Sequence, residues 1–179
     1  MRQNWQQWEV GLSDSTINQI IAEAEQQPAS DATIFADNEV NSDIRTSTVR
    51  WIEEHWVRDI LWEYVKRANV DAFGVDVLNH AEMQFTEYHA DNNGHYDWHH
   101  DVSWESFKNG DRKISITVQL SDPSEYEGGE FQFNEVESPT SKYKGSVLVF
   151  PSYLQHRVLP VTRGIRRSLV AWFYGPRWK

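Results

Sequence analysis

Two hydrophobic periods divide this chain, and they change over near Asn69. Before that point apolar residues recur at three and four. Ile17, Ile20, Ile21 and Ala24 mark one side of a helix predicted over residues 13–28, with Ser13 or Ser15 placed to cap it and Pro28 following its end. A stronger helix is predicted over 49–68, where Trp56, Val57, Ile60, Leu61, Tyr64, Val65 and Ala68 form an apolar stripe. Residues 29–46 are polar and mixed, which predicts a loop with one short strand around Thr33-Ile34-Phe35. Beyond Asn69 the period falls to two. Strands are predicted at 81–89, 95–100, 112–120, 129–133, 146–150, 156–161 and 166–174, separated by turn-rich pieces such as Asp91-Asn92-Asn93-Gly94 and Ser121-Asp122-Pro123. Many short strands in one half of a chain favour a sandwich or jelly roll over βαβ units. The expected class is α+β, mainly β: a double-stranded β-helix (jelly-roll) barrel buttressed by N-terminal helices. A single domain is expected over 1–179, with 1–80 as helical support and 81–179 as the jelly-roll core.

Alternation also sorts the strand faces. In 112–120, Ile114, Ile116, Val118 and Leu120 alternate with Ser115, Thr117 and Gln119; in 81–89, Met83 and Phe85 alternate with Gln84, Thr86 and Tyr88. Such a polar face either lines the mouth of a barrel that holds a small polar ligand or meets solvent. The pattern alone leaves both open.

Composition narrows the function classes. The net charge of −10 argues against nucleic acid or an anionic membrane surface as the main partner. No apolar run approaches the roughly 20 residues of a membrane span. The N-terminal Met1-Arg2-Gln3-Asn4-Trp5 lacks the apolar stretch of a secretory signal, so a cytoplasmic location is expected. Cysteine is absent, which excludes disulfides and thiolate metal sites.

The candidate chemistry is concentrated in Gly94-His95-Tyr96-Asp97-Trp98-His99-His100-Asp101. On a strand, residues i and i+2 share a face, so an H-x-D pair can converge on one ion. Two imidazoles and one carboxylate form the facial triad of non-heme Fe(II) oxygenases. Two H-x-D pairs are present, His95/Asp97 and His99/Asp101, and their spacing does not choose between them.

Taken in order, the motifs of the C-terminal half resemble the Fe(II)/2-oxoglutarate-dependent dioxygenases, in their prolyl 4-hydroxylase-like branch. Tyr88 and the Gly94–Asp101 stretch are similar to that family's Y…G-x-Y-x-x-H-x-D. Tyr126-Glu127-Gly128-Gly129-Glu130-Phe131 resembles its y-x-G-G-e hairpin, and Gly145 to Pro151 followed by His156-Arg157-Val158 its G-x-l-v-l-F-p…H-x-V pair. Val161-Thr162-Arg163-Gly164-Ile165-Arg166 with Trp172 is similar to its V-t-x-G-x-R…W ending; the likeness spans about residues 83–174.

The resemblance implies His99, Asp101 and His156 as iron ligands, because the family places an aromatic residue, here Tyr96, three positions before its first ligand. His95 and Asp97 then lie roughly 13 Å upstream at about 3.3 Å per residue, and His100 takes no ligand role. It implies Arg166 for the far carboxylate of 2-oxoglutarate, in preference to Arg163 and Arg167, with Tyr88 touching the same group. Gln119 stands where some relatives carry a cosubstrate-contacting tyrosine. The implied chemistry is oxidative decarboxylation of 2-oxoglutarate with O2 to succinate and CO2, coupled to hydroxylation of a C–H bond, with ascorbate as reductant. A peptidyl proline is the expected substrate, and Trp104 and Phe107 in the loop after Asp101 are the expected covers of the metal. The alternatives are a free amino acid or other small molecule, and a non-catalytic jelly-roll metal-binding module.

Overall fold

A computed structural model of the chain describes residues 4–33, 40–102, 104, 110–134 and 140–179. The chain runs β1 (Gln6–Trp8), α1 (Asp14–Glu25), β2 (Ser30–Asp31), β3 (Arg45–Thr46), β4 (Thr48–Ile52), α2 (His55–Ala68) and a π-helical turn (Asn69–Phe73). It continues as β5 (Ala81–His89), a 3-10 turn (Ala90–Asn92), β6 (His95–His99), β7 (Asp111–Gln119), β8 (Tyr126–Gly128), β9 (Phe131–Phe133), β10 (Val147–Pro151), β11 (His156–Val158) and β12 (Val161–Gly175). A major antiparallel sheet has the order β1-β10-β7-β12-β5-β4-β2, with β8 paired to β12; a minor one has the order β3-β6-β11-β9. Two opposed antiparallel sheets with helices on one outer face are the expected jelly roll, although the described strands do not close into a ring.

The helices seal the outer face of the major sheet. Ser13 caps α1, its hydroxyl accepting from Thr16 N–H at 3.2 Å, and Ile17, Ile20 and Ala24 are buried below it. Along α2, Val57, Leu61, Val65 and Ala68 repeat at four, four and three and pack into one cluster with Met83, Phe85, Ile114, Ile116, Leu169 and Phe173 of the sheet. No helix of the described residues is long and apolar enough to cross a membrane.

Several boundaries differ from the sequence expectation. The second helix starts at His55, not Val49, because Thr48–Ile52 forms β4 against β5, burying Val49 and Ile52. Periodicity could not separate the two: β-branched residues of a short strand ran into the apolar stripe of the helix. The strand expected around Thr33 is not formed at Thr33, and Ile34 and Phe35 lie outside the described residues. The polar stretch 29–46 contributes β2 and β3 instead, and β1 adds an edge strand whose three residues are too few to show a period.

Candidate metal centre

A cavity open to solvent lies between the sheets. Its walls include alternate residues of β5 and β12 on one side, and Tyr96, His99, His156 and Val158 of β6 and β11 on the other, where a register shift brings Tyr96 and His99 to the same cavity.

The route into the site depends on Gly94. After the 3-10 turn the chain passes Asn93 (φ 56) and doubles back on β5, with Gly94 N–H donating to His89 O at 2.8 Å. A Cβ at Gly94 would sit 2.6 Å from His89 N and 2.9 Å from Tyr88 Cα, so only glycine fits. The strand that follows, β6, pairs with β11 so that His99 stands directly opposite His156, their ring centroids 4.2 Å apart. Asp101 lies just past the strand end. Its N–H donates to Ser152 O at 2.8 Å, and Ser115 Oγ donates to its Oδ2 at 2.6 Å while lying 2.9 Å from Ser152 Oγ.

One donor atom from each of His99, Asp101 and His156 falls within 4.8 Å of the others. His99 Nε2 to Asp101 Oδ1 and His156 Nε2 to Asp101 Oδ2 are each 3.7 Å, too long for hydrogen bonds. On the far side of each ring, Nδ1 meets a main-chain carbonyl, Asp97 O at 2.7 Å and Leu154 O at 2.8 Å. A carbonyl only accepts, so both Nδ1 atoms carry the proton and both Nε2 lone pairs face the gap. Burial holds His99 well below the usual imidazole range, and the nearby His156 adds to this. Burial acts to raise Asp101, but the two imidazoles whenever they are charged, and at all times Arg112 and the Ser115 hydroxyl, act against it, and the carboxyl lies below the usual carboxylate range. Neutral imidazoles and a charged carboxylate are the protonation states that metal binding requires.

Aromatic packing fixes the rings. Tyr96 stacks on His99 with centroids 3.4 Å apart at 8°, and Phe131 stacks on His156 at 5.2 Å. Burial pushes the Tyr96 phenol up to about 12, so it stays neutral beside the site.

The second H-x-D pair points elsewhere. His95 faces Asn93 O at 2.8 Å and Asp43 O at 3.3 Å, and the exposed Asp97 carboxylate accepts from Trp98 N–H at 2.7 Å. His100 Nδ1 donates to Val102 O at 2.8 Å. Of the three arginines near the end of the chain, Arg163 pairs with the exposed Glu127 and Arg167 with Glu87. Arg166, only 5% exposed, lies on β12 opposite Tyr88, its guanidinium 5.6 Å from the Tyr88 ring, and lines the cavity. It makes no ion pair and no hydrogen bond among the described residues, although its charge, after that of Lys142, helps to hold the Glu130 carboxyl down. Gly129 (φ 64) makes space for it, since a Cβ there would lie 2.9 Å from Arg166 Cδ.

Gln119 is buried but off the cavity wall: its amide donates to Ser121 O at 3.2 Å and Tyr126 Oη at 3.0 Å. Trp104 is 60% exposed, with its ring 6.2 Å from that of His100, and is also off the wall; Phe107 lies outside the described residues. The wall includes Gln84 and Thr117 of the polar strand faces, Trp172 of the family-like ending, and also Arg45 and Ser168, which sequence reasoning did not single out. Strand parity ties four of these to residues already picked out and could have found Ser168. Gln84 shares the face of Tyr88, Ser168 and Trp172 that of Arg166, and Thr117 that of Ser115.

A sequence profile of the 2OG-Fe(II) oxygenase superfamily matches residues 83–174, half of the chain. The chain belongs to that family. Over 81 residues, 44% of this chain, it is 37% identical to a PKHD-type hydroxylase of Synechococcus sp. (strain CC9311), of which the match covers 36%. The chain thus spans only about a third of the length of the curated relatives it matches. Its fold is similar to that of a Pseudomonas putida prolyl-4-hydroxylase (TM-score 0.75, 22% identity, 95% of this chain and 92% of that one). It is also similar to a Trichoplax adhaerens prolyl hydroxylase in complex with a hypoxia inducible factor peptide fragment (TM-score 0.77, 16% identity, 96% and 84%). Membership implies Fe(II) and 2-oxoglutarate. The donor set fits such a metal, with two imidazole nitrogens and one carboxylate oxygen presented from one side.

Proposed function

We propose that this chain is a hydroxylase in which His99, Asp101 and His156 hold Fe(II). In the same cavity Arg166 binds the far carboxylate of 2-oxoglutarate, assisted by the Tyr88 hydroxyl. The observation that carries this reading is the buried, unpaired guanidinium of Arg166 in the same cavity as the triad. Burying a cation without a counter-charge is costly, so its retention makes sense when an anionic ligand completes it. A planar fork also suits a carboxylate better than lysine would. Thr117 and Ser168 line the wall beside it as further hydroxyl donors.

When bound, the metal supplies the activation of O2 coupled to decarboxylation of the keto acid. The chain's own share is to orient the cosubstrate, keep the His99 imidazole neutral and exclude water from the substrate carbon. Ascorbate serves as reductant. The substrate is a proline residue in a peptide, a reading supported by the prolyl hydroxylases of similar fold.

The test incubates the protein with Fe(II), ascorbate, 2-oxoglutarate and a proline-rich peptide library, with succinate release and peptide mass as readouts. Peptides that gain one oxygen atom, and loss of that product in His99→Ala and His156→Ala but not His95→Ala, are expected. Hydroxylated free amino acids with no modified peptide would replace the peptide substrate with a small molecule. Metal uptake without succinate under any substrate would leave only a binding module.

A further inference from the structure

Arg45 is a second buried cation in the same cavity, and its surroundings differ from those of every paired arginine. It is 7% exposed, and its donors go only to neutral groups: Nη2 to Gln84 Oε1 at 2.7 Å, Nε to Ser47 Oγ at 3.0 Å and Nη1 to Thr33 O at 3.2 Å. Its guanidinium lies 4.5 Å from the Tyr96 ring, whose own ring stacks on His99. No carboxylate comes within ion-pair distance of it among the described residues, whereas Arg112 has Glu82 at 2.6 Å.

Its neighbours on the wall are also donors. Gln84 Oε1 accepts from Arg45 and, at 3.3 Å, from Thr86 Oγ1. Arginine can only donate, so the amide oxygen must face it and the amide NH2 must face away. That NH2 has no acceptor among the described residues. Trp172 Nε1 is buried with no hydrogen-bond partner among the described residues. On the paired strands Gln84 stands opposite Val170, two residues from Trp172, so both side chains project from one face as diagonal neighbours. The Gln84 amide NH2 and the Trp172 indole N–H, both without an acceptor among the described residues, thus stand beside a guanidinium whose hydrogen bonds go only to neutral oxygens.

We propose that the substrate of this site carries a carboxylate, which Arg45 binds together with the Gln84 amide and the Trp172 indole N–H. The inference rests on the iron and 2-oxoglutarate reading of the same cavity. In that loaded cavity Fe(II), Arg166 and Arg45 carry four positive charges, against three negative ones on 2-oxoglutarate and on Asp101, the one carboxylate on the described wall. Arg45 is the charge left over. A neutral carbonyl would satisfy one or two of the donors but leave the buried charge uncompensated; a carboxylate answers both the donors and the charge. The cavity is therefore locally cationic inside a chain of net charge −10. Surface charge does not describe what this pocket selects.

The carboxylate could be that of a free amino acid or an acidic side chain next to the reacting residue in a peptide. Two pairs of probes separate these sources: L-proline against L-prolinamide, and an end-blocked Pro-Glu peptide against its Pro-Gln twin. Binding is read by calorimetry on full-length protein loaded with Mn(II) and 2-oxoglutarate, which needs no turnover. One carboxylate probe should bind about tenfold or more tighter than its amide twin, the usual weight of a charged hydrogen bond. Arg45→Gln should erase that margin while 2-oxoglutarate binding stays within about twofold. Arg45→Lys should keep part of it, and Gln84→Met, which leaves the charge in place, should reduce it. Equal binding of both twins in both pairs overturns the proposal. So does an Arg45→Gln protein that loses 2-oxoglutarate as Arg166→Gln does, because Arg45 would then belong to the cosubstrate clamp. Failure of the wild-type protein to bind 2-oxoglutarate at all is a different result and removes the oxygenase reading itself.

Discussion

The two faces of the major sheet are equally buried and chemically opposite. Toward the helices, β5, β7 and β12 present Met83, Phe85, Ile114, Ile116, Leu169, Ala171 and Phe173. Toward the minor sheet the same strands present Gln84, Tyr88, Thr117, Arg166, Ser168 and Trp172. The side chains just named are buried on both faces, yet only the first face is satisfied by its own packing. Several polar groups of the second lack partners among the described residues. Burial alone therefore does not identify a core. The difference lies in whether the chain supplies every contact its buried groups need.

The largest contrast should come from truncating one side chain on each face. Phe85→Ala should cost on the order of 3–5 kcal/mol, the usual range for emptying a packed aromatic site. A large drop in melting temperature would report it. His156→Gln should shift the melt of the metal-free protein by far less while abolishing Co(II) uptake measured by absorption. Equal melting losses would mean that the polar face also carries the fold.

Arg166→Ala should raise the 2-oxoglutarate requirement by on the order of 2–5 kcal/mol, about thirtyfold or more, with metal still bound. The same change should leave the ligand-free protein as stable or more so, because it removes an unpaired buried charge. Arg163→Ala, which breaks an exposed pair with Glu127, should alter either quantity by less than about 1 kcal/mol. Similar behaviour of the two variants would refute the assignment of Arg166.

Ser115→Ala removes the hydroxyl that donates to Asp101 Oδ2. Metal affinity should fall by about 10–100-fold, as for other groups that orient a ligand, and Ser115→Thr should restore it. Anaerobic Fe(II) titration checks this without turnover.

The smallest effect is the pH dependence of the metal-free protein. His99 has a folded pKa below its free value, mainly through burial, so above about pH 6.5 it is neutral in both states and contributes no slope. As pH falls below that, the unfolded chain takes a proton the folded site refuses, and stability should decline until the folded pKa is reached. Asp101, also lowered, adds a loss further into acid. Urea unfolding at stepped pH measures the slope. A flat profile from pH 7 to 5 would contradict the buried, neutral imidazole.

Much of the site was legible in advance because its determinants are local. His99 and Asp101 lie two residues apart, and Gly94 is required by a turn that the sequence shows. The expectations that slipped concern groups whose role depends on where their hydrogen bonds go. Gln119 has the strand position of a cosubstrate contact, but its amide is taken by Tyr126 and Ser121 across a loop. Trp104 was expected over the metal and stands exposed beside His100.

By itself the sequence determined the two periods, the polar stripe on each inner strand and the order of motifs that places the chain in its family. All of these are short-range regularities written in neighbouring residues. Only the tertiary structure decided that the polar stripe faces a cavity rather than solvent, since an alternating strand does not specify what covers each side. Only cross-strand register set His99 opposite His156 and turned His95 toward Asp43. Most of all, Arg45 entered the site through a pairing of β3 with β6, half a hundred residues away in the chain. No local pattern marks such a residue, because its environment is made by strands that meet only when the chain is folded.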